Sequence, residues 1–400
     1  MVRCATKQWG EQVHGSMQGR QQGAGMKIKT VTAHPLQYPE PHDFNHLRYI
    51  TLVRIETDDG LVGWGECISQ FPESSLAVKA VVERGYAPLL LGENPLDVER
   101  LWNKLLARVW WYGPQGVAAF AISAVDMALW DLKGKALGLP VCALLGAAQQ
   151  ERVLAMASIH FDMVNLDWTL REFAGFRECG YRVVKGGWGA KPDAVFGTDR
   201  RRDLDLVRRI RESIGDDIDL VVDVLGARVK WSVPHAIRMF REFEPYSLRW
   251  IEEPLPPQDL EAHARLRAQV MTKIGTGEQE WNLAGYRRLI ESGGVDVVQM
   301  DPGRCLGITG CRDVIKLIEA HHLTYSLHTW SGALNTAASV HLLAISAQGV
   351  CADFKPHPSP MQHELVADPW VQEDGYLEVR KKPGLGVEVR EDMVKKYQFE

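Results

Sequence analysis

The chain has 400 residues, of which 46% are hydrophobic and 24% charged, which predicts a globular protein of two domains or of one barrel with additions. Its formal net charge of −5 at pH 7 gives no basic surface, so we expect neither nucleic acid nor a membrane as a partner. Seven scattered cysteines without a C-x-x-C pair exclude a zinc knot and a disulfide framework, and indicate reduced thiols in a cytoplasmic protein.

The N-terminal part begins with a polar segment and continues with predicted strands. Residues 1–25 lack the apolar middle of a secretory signal, so we predict a poorly ordered extension. From Met26 onward polar and apolar residues alternate, which predicts a first strand. The β-rich run 49–57, an Asp-Asp-Gly turn sequence and the run 61–66 then predict a β-hairpin.

Helical periodicity follows these strands. It extends from about residue 74 to residue 139, where Gly138 and Pro140 are expected to end the last helix. Residues 26–150 are therefore predicted to form an α+β domain.

Beyond this domain, short apolar runs alternate with amphipathic stretches, as βα repeats do. Eight such units predict a (β/α)8 barrel over residues 151–359, and no G-x-G-x-x-G sequence follows a strand to favour a dinucleotide fold. The predicted strands cover residues 153–161, 181–188, 218–225, 248–253, 273–279, 295–301, 323–330 and 350–354.

Polar residues occur at the ends of these predicted strands, where barrel enzymes place their active sites. In chain order they are Lys185, Asp223, Glu252, Glu278, Asp301, His328 and Asp353.

Three of these residues predict a metal site. Asp223, Glu252 and Glu278 follow consecutive strands, so their carboxylates should converge and would repel one another without a cation. Oxygen ligands without paired His or Cys favour Mg²⁺ over Zn²⁺.

His328 is predicted to be a general base. Asp301 ends the neighbouring strand, and an adjacent carboxylate fixes the tautomer of an imidazole and raises its pKa. Lys185 ends an apolar run and is read as an electrostatic group that faces a substrate carboxylate, although a base or a rim salt bridge also fits.

Other residues near strand ends are candidates for substrate binding. His160 lies near the end of the first barrel strand, and Trp330 lies just past the seventh. His42 and His46 are placed in a loop before the strand at residue 49, where they would belong to a lid.

These patterns together resemble the enolase superfamily, specifically its mandelate racemase subgroup. The most specific segment is 121–146, and further resemblance lies in Gly63-Trp64-Gly65-Glu66, in Trp250-Ile251-Glu252-Glu253-Pro254 and around Asp301 and His328. The resemblance implies a capping domain to which residues 360–400 return, metal binding by the first Glu of the fourth-strand motif, and homo-oligomers. It also places Asp353 where relatives often have a Glu that faces the developing oxyanion.

Two departures from the subgroup affect the expected reaction. The racemases carry Lys-x-Lys on the second strand, whereas this chain has Lys185-Gly186-Gly187 and lacks the second lysine as a base. The third strand reads Asp223-Val224-Leu225, which removes a polar contact.

One clear base favours a Mg²⁺-dependent acid-sugar dehydratase, a lyase that takes the α-proton of a sugar acid and eliminates water to a 2-keto-3-deoxy acid. The alternatives are an epimerase, racemase or cycloisomerase of the same superfamily with a second base such as His160, or a sensor that binds an acid sugar without turnover.

Overall fold

The structure is a computed structural model that describes residues 25–187, 189 and 195–400. Residues 1–24, which make up nearly all of the predicted extension, lie outside the described residues, as does Trp188 at the end of the second predicted barrel strand. Within the described part, no helix is long and apolar enough to cross a bilayer.

The N-terminal part forms an antiparallel sheet covered by helices, which we call the capping domain. Its strands, in the order β1-β2-β3, are β1 Ile28–Glu40, β2 His46–Thr57 and β3 Val62–Cys67. Its helices are α1 Pro72–Ala80, α2 Ala87–Leu90, α3 Val98–Arg108, α4 Val117–Leu137 and α5 Val141–Leu144.

Helix α4 lies directly on strand β3. A Cβ atom added to Gly65 would come within 2.0 Å of the carbonyl oxygen of Ala124, so the glycine is what permits this close approach. The helix ends at Gly138, whose φ of +69° is a conformation that glycine adopts without strain, as the sequence predicts.

The second part is a closed barrel of eight parallel strands, which confirms the predicted fold class. The first and last strands pair with each other and close the barrel. The strands are β4 Arg152–His160, β5 Val183–Gly187, β6 Asp219–Asp223, β7 Leu248–Glu252, β8 Ile274–Thr276, β9 Val297–Met300, β10 Thr324–Leu327 and β11 Gly349–Phe354.

Most of the predicted strands extend too far at their C-terminal ends. Strand β8 stops at Thr276, for example, because Gly277 has a φ of +125° and turns the chain out of the sheet. Of the polar residues that were predicted at strand ends, Lys185 and Asp353 lie within their strands, and the others lie on the last strand residue or in the loop that follows.

Helices cover the outside of the barrel, and one further strand pairs with it. The helices are α6 Leu166–Glu178, α7 Arg200–Ile214, α8 Gly226–Val229, α9 Val233–Phe243, α10 Leu260–Arg267, α11 Leu283–Glu291, α12 Gly307–Ala320, α13 Ala333–Ala344 and, near the C-terminus, α14 Glu391–Tyr397. The short strand β12, Tyr376–Glu378, pairs antiparallel with β4 and was not predicted, since three residues carry no readable alternation.

The barrel is a packed core and not a channel. A small apolar cluster fills its interior, and the larger core lies between the strands and the surrounding helices. The interior cluster consists of Met156, Val183, Val221, Trp250, Val297 and Cys351.

The C-terminal tail contacts the capping domain, as the resemblance implies. The backbone N–H of Phe399 donates to the carbonyl of Pro35 at 3.1 Å, and that of Leu385 donates to Asp131 Oδ1 at 2.9 Å. The predicted domain boundaries themselves stay a prediction.

Candidate active site

Parallel pairing brings the acidic strand ends together at one mouth of the barrel. Asp223 pairs in register with Glu252 on the next strand and with Gly187 on the preceding one. Glu278 follows β8 by two residues, and Asp353 lies within β11. The short loops and the common strand direction thus place these carboxylates around one point.

Lys185 lies inside this group of carboxylates. Its side chain is only 2% exposed, and Nζ donates to Glu252 and lies 3.5 Å from both Asp223 Oδ2 and Asp353 Oδ2. Burial lowers the pKa of Lys185, but the carboxylates of Asp353 and Glu252 outweigh it and hold that pKa well above its usual value. In this arrangement the carboxylates favour the positively charged form of Lys185, and its predicted role as an electrostatic group stays a prediction.

The acids outnumber this single cation. Burial and the charge of Glu252 raise the pKa of Asp223 well above its usual value, and burial and Glu278 do the same for Glu253. Three buried carboxylate oxygens of this group, Glu253 Oε1, Glu278 Oε2 and Asp353 Oδ1, have no hydrogen-bond partner among the described residues. A further cation at this mouth would relieve the repulsion among these carboxylates and supply a partner for unpaired oxygens.

The residue types fit a hard cation, while the present arrangement is closed around Lys185. Among residues 25–187, 189 and 195–400, no group of three or more His, Cys, Asp or Glu side chains has the spacing needed to hold a metal ion. The assignment of Asp223, Glu252 and Glu278 as metal ligands stays a prediction.

His328 and Asp301 form a hydrogen-bonded pair beside these acids. The distance from His328 Nδ1 to Asp301 Oδ2 is 2.6 Å, and the other ring nitrogen, Nε2, lies 3.8 Å from Glu278 Oε2. Asp301 Oδ1 in turn accepts from the backbone N–H of Gly303 at 2.7 Å and from Asn335 Nδ2 at 3.0 Å. The carboxylate is therefore held on both oxygens, and it holds the ring.

The charges around His328 favour its protonated form. Burial lowers the pKa of His328, but Glu278 and Asp301 outweigh burial and raise it to about 9. A cation close to Glu278 would oppose this effect and favour the neutral ring that a base requires.

These groups open into a cavity of about 440 Å³ between the capping domain and the barrel. Glu278, Asp301 and His328 line its floor, and aromatic residues of both domains form part of its walls. These aromatic residues are Phe71, Phe120, Trp281 and Trp330.

No side chain projects from the position where the racemases carry their second lysine. A Cβ atom on Gly187 would lie 2.1 Å from the carbonyl oxygen and 2.7 Å from Cβ of Asp223. The glycine is thus required by the close approach of β5 and β6, and there is no room for a base.

Comparison with known proteins identifies the family. Residues 27–146 match the N-terminal domain of the mandelate racemase / muconate lactonizing enzyme family, and residues 169–393 match the family described as enolase C-terminal domain-like. The chain belongs to the enolase superfamily, in its mandelate racemase subgroup.

Individual relatives of this superfamily differ in activity. A D-galactarolactone cycloisomerase of Agrobacterium fabrum is 29% identical over 388 residues, which are 94% of this chain and 99% of the relative. A D-galactonate dehydratase of Cronobacter sakazakii is 31% identical over 353 residues, 86% of this chain and 89% of the relative. The crystal structure of a racemase from Streptomyces coelicolor with bound magnesium is 28% identical, with a TM-score of 0.83 over 93% of this chain and 100% of that one.

Of the predicted substrate-binding residues, Trp330 lines the cavity, whereas the three histidines contact other groups. His160 is buried, stacks on Trp330 with ring centroids 4.6 Å apart, and has Nδ1 3.3 Å from Asp43 Oδ1. Burial lowers the pKa of His160 to about 4, despite the hydrogen bond with Asp43. This environment favours a packing role over that of a second base.

His42 lies at the contact between the two domains, whereas His46 contacts Asp43 within the capping domain. His42 is buried, with Nδ1 2.7 Å from Glu40 Oε1, and that carboxylate also accepts from the buried Lys355 of the barrel. His46 was predicted in a loop but is the first residue of β2, because the ladder between β1 and β2 continues to the pair Glu40 and His46. Neither ring lines the cavity, and substrate contact by either stays a prediction.

The sequence argument missed residues that reach the site from the superfamily's capping domain. Glu66 is fully buried and accepts from the backbone N–H groups of Gly332 at 2.6 Å and of Asn335 at 3.3 Å, at the start of α13. Glu66 thereby positions α13, whose residue Asn335 donates to Asp301. Glu66 stands in the hairpin motif that was noticed, but nothing in the sequence indicates its partner 266 positions away.

Proposed function

We propose that this protein is a magnesium-dependent dehydratase of acid sugars. The observation that supports it most is that one face of the site carries the pair His328–Asp301, while the position of the racemases' second base is Gly187, where no side chain fits. Abstraction of a proton from one face, followed by loss of a β-substituent, needs only one base.

The side chains present suit each proton movement. Asp301 accepts a hydrogen bond from the Nδ1–H of His328, which leaves Nε2 of the neutral ring unprotonated and able to take the α-proton of the substrate. The electron pair of the broken C–H bond forms a carbon–carbon double bond as hydroxide leaves the β-carbon. The imidazolium then returns the proton to the departing hydroxide as water, and the enol becomes the 2-keto-3-deoxy acid.

Asp223, Glu252 and Glu278 would hold the magnesium ion. When bound, the ion supplies positive charge to the substrate carboxylate, where negative charge accumulates as the α-proton leaves. Lys185 adds a second positive charge at the same mouth, and its ammonium group forms an ion pair with Asp353 at 3.5 Å.

A cycloisomerase is the second candidate, and the relative from Agrobacterium fabrum favours it. The same single base would take the α-proton of a sugar-acid lactone, and the leaving group would be the ring oxygen instead of hydroxide. The difference between the two activities thus lies in the substrate and not in the base.

Proton NMR in D₂O with Mg²⁺ and a panel of aldonic acids, aldaric acids and their lactones tests the proposal. Accumulation of a 2-keto-3-deoxy acid from an open-chain acid is expected, and turnover of lactones alone would favour the cycloisomerase. Recovered substrate that carries α-deuterium with inverted configuration would instead indicate epimerisation and contradict the proposal.

His328→Asn provides the residue-specific test, with the exposed His321→Asn as a matched control before the same strand. Loss of a general base lowers kcat by about 10²- to 10⁴-fold, whereas the control should match the wild type. Full activity of His328→Asn would refute the assignment of the base.

A further inference from the structure

Arg48 extends from the capping domain into the cavity with its guanidinium group already oriented. Nε donates to Asp43 Oδ2 at 2.7 Å, and the guanidinium carbon lies 4.7 Å from the centroid of the Trp330 ring. The side chain is 15% exposed and lines the cavity. One edge and one face of the group are thus fixed by protein contacts.

The remaining edge of this guanidinium, formed by Nη1 and Nη2, differs from the edge that Asp43 holds. In the part of the chain that the structure describes, neither Nη1 nor Nη2 of Arg48 has a hydrogen-bond partner. Asp43, which holds Nε, is itself held by the rings of His160 at 3.3 Å and His46 at 3.4 Å. A planar donor pair that is fixed from behind and open in front matches the geometry of a carboxylate.

The distribution of charge in the cavity also indicates a second anionic group on the ligand. Its acidic lining residues, Glu278 and Asp301, both lie on the floor beside His328. Its other lining cations, Arg228 and Arg304, form no ion pair with a carboxylate among the described residues, although the charges of Asp301 and Glu278 act on Arg304. Arg228 therefore adds a positive charge to the wall that none of the described carboxylates pairs with. A ligand with one carboxylate at the floor would leave this charge unmatched.

We propose that Arg48 binds the distal carboxylate of the substrate, and that the substrate is an aldaric acid, a sugar with a carboxylate at each end. This inference rests on the proposed function, which places the reacting carboxylate at the mouth formed by Asp223, Glu252 and Glu278. Arg48 belongs to the capping domain and lines the same cavity as His328 and Trp330, so the proposal places the far end of a chain that starts at the floor against this residue.

The kinetic test compares two acids that differ only at the far end, galactarate and galactonate, or glucarate and gluconate. The wild type should favour the aldarate, and Arg48→Gln should lower kcat/KM for the aldarate by about 10- to 100-fold, mainly through KM. For the aldonate the same variant should change kcat/KM by less than about threefold, because the lost partner is absent. Arg48→Lys should lie between the two, since a lysine keeps the charge but not the paired donors.

Arg54→Gln is a matched control. Arg54 is on the same strand, stacks on a tryptophan and forms ion pairs with Glu56 and Glu391, but does not line the cavity. It should leave both substrates unaffected. Equal losses for the two acids in Arg48→Gln, or a wild type that prefers the aldonate, would overturn the inference.

Calorimetric titration separates this inference from the proposed function. In the His328→Asn background with Mg²⁺, galactarate should bind about 10- to 100-fold more weakly when Arg48 is also replaced by Gln. If no acid sugar is turned over but this difference is found, the proposed reaction fails and the binding site stands. If open-chain acids are dehydrated and no difference in binding is found, the proposed reaction stands and the assignment of Arg48 to the distal carboxylate fails.

Discussion

The buried ion pair between Glu40 and Lys355 joins the two domains and should be expensive to break from one side. Glu40 ends β1 and Lys355 follows β11, and both side chains are fully buried. Lys355 Nζ donates to Glu40 Oε2 and, at 2.9 Å, to the carbonyl of Ser331, while His42 Nδ1 lies 2.7 Å from the other carboxylate oxygen. Each charge therefore has its main partner in the other domain.

The magnitude follows from the burial of both groups. Burial raises and Lys355 lowers the pKa of Glu40, with a net fall to about 2, whereas burial outweighs Glu40 and lowers the pKa of Lys355 as well. The attraction between the two charges is offset by the cost of removing both from water. The net contribution of the pair to the free energy of unfolding is therefore smaller than the cost of removing one partner, which leaves the other charge buried and unpaired. Lys355→Met should lower the free energy of unfolding by about 3–5 kcal/mol, since it leaves Glu40 buried without its cation.

Glu40→Gln should also cost about 3–5 kcal/mol, because it leaves the charge of Lys355 buried without its anion. The double variant should cost at least about 2 kcal/mol less than the sum of the single variants. Urea unfolding at pH 7, followed by tryptophan fluorescence and by circular dichroism, measures all three. This reasoning would be refuted if the losses of the two single variants added up to the loss of the double variant. It would also be refuted if the single variants had free energies of unfolding within about 0.5 kcal/mol of the wild type.

Three further predictions concern the site, the interface of α4 and the metal. Asn335→Ala removes a hydrogen bond to the Asp301 carboxylate and should lower kcat by about tenfold with little change in KM, which steady-state kinetics would reveal. Burial raises the pKa of Asp126 to about 7, so the folded state retains a proton that the unfolded chain releases near pH 4. The free energy of unfolding should therefore fall as the pH rises from 4 to 7, by up to about 4 kcal/mol more in the wild type than in Asp126→Asn. Urea unfolding at a series of pH values measures this fall, and an equal fall in the two proteins would contradict the prediction. Dialysis against EDTA should abolish turnover and Mg²⁺ should restore it; unchanged turnover by metal-free protein would exclude a metal-dependent reaction.

Much of the barrel could be predicted because its strands are short and mostly apolar and because polar residues lie at or near their C-terminal ends. The same regularity brought Asp223, Glu252, Asp301 and His328 to one mouth, since parallel strands end on the same side. This periodicity can be read within a short segment of the sequence, whichever distant residues the segment contacts.

Contacts between the domains could not be predicted in the same way. Glu66 bonds to the first turn of α13, and Glu40 pairs with Lys355, over separations of 266 and 315 positions. Each contact depends on how the capping domain is placed on the barrel, which local patterns do not encode. His160 is a clear case, because its position at a strand end suggested substrate, whereas Asp43 of the capping domain is its partner.

The tight spacing of strands β5 and β6 at Gly187 has a consequence for the evolution of this chain. A lysine could arise at codon 187 by successive base changes, but every intermediate with a side chain would collide with the backbone of Asp223. A lineage that begins here can alter its leaving group or its substrate by changing loops, whereas a second base on this strand would first require the backbone of a neighbouring strand to move. We therefore expect enzymes that descend from this chain to change the leaving group of the reaction before they gain a second base that could invert the configuration of the α-carbon.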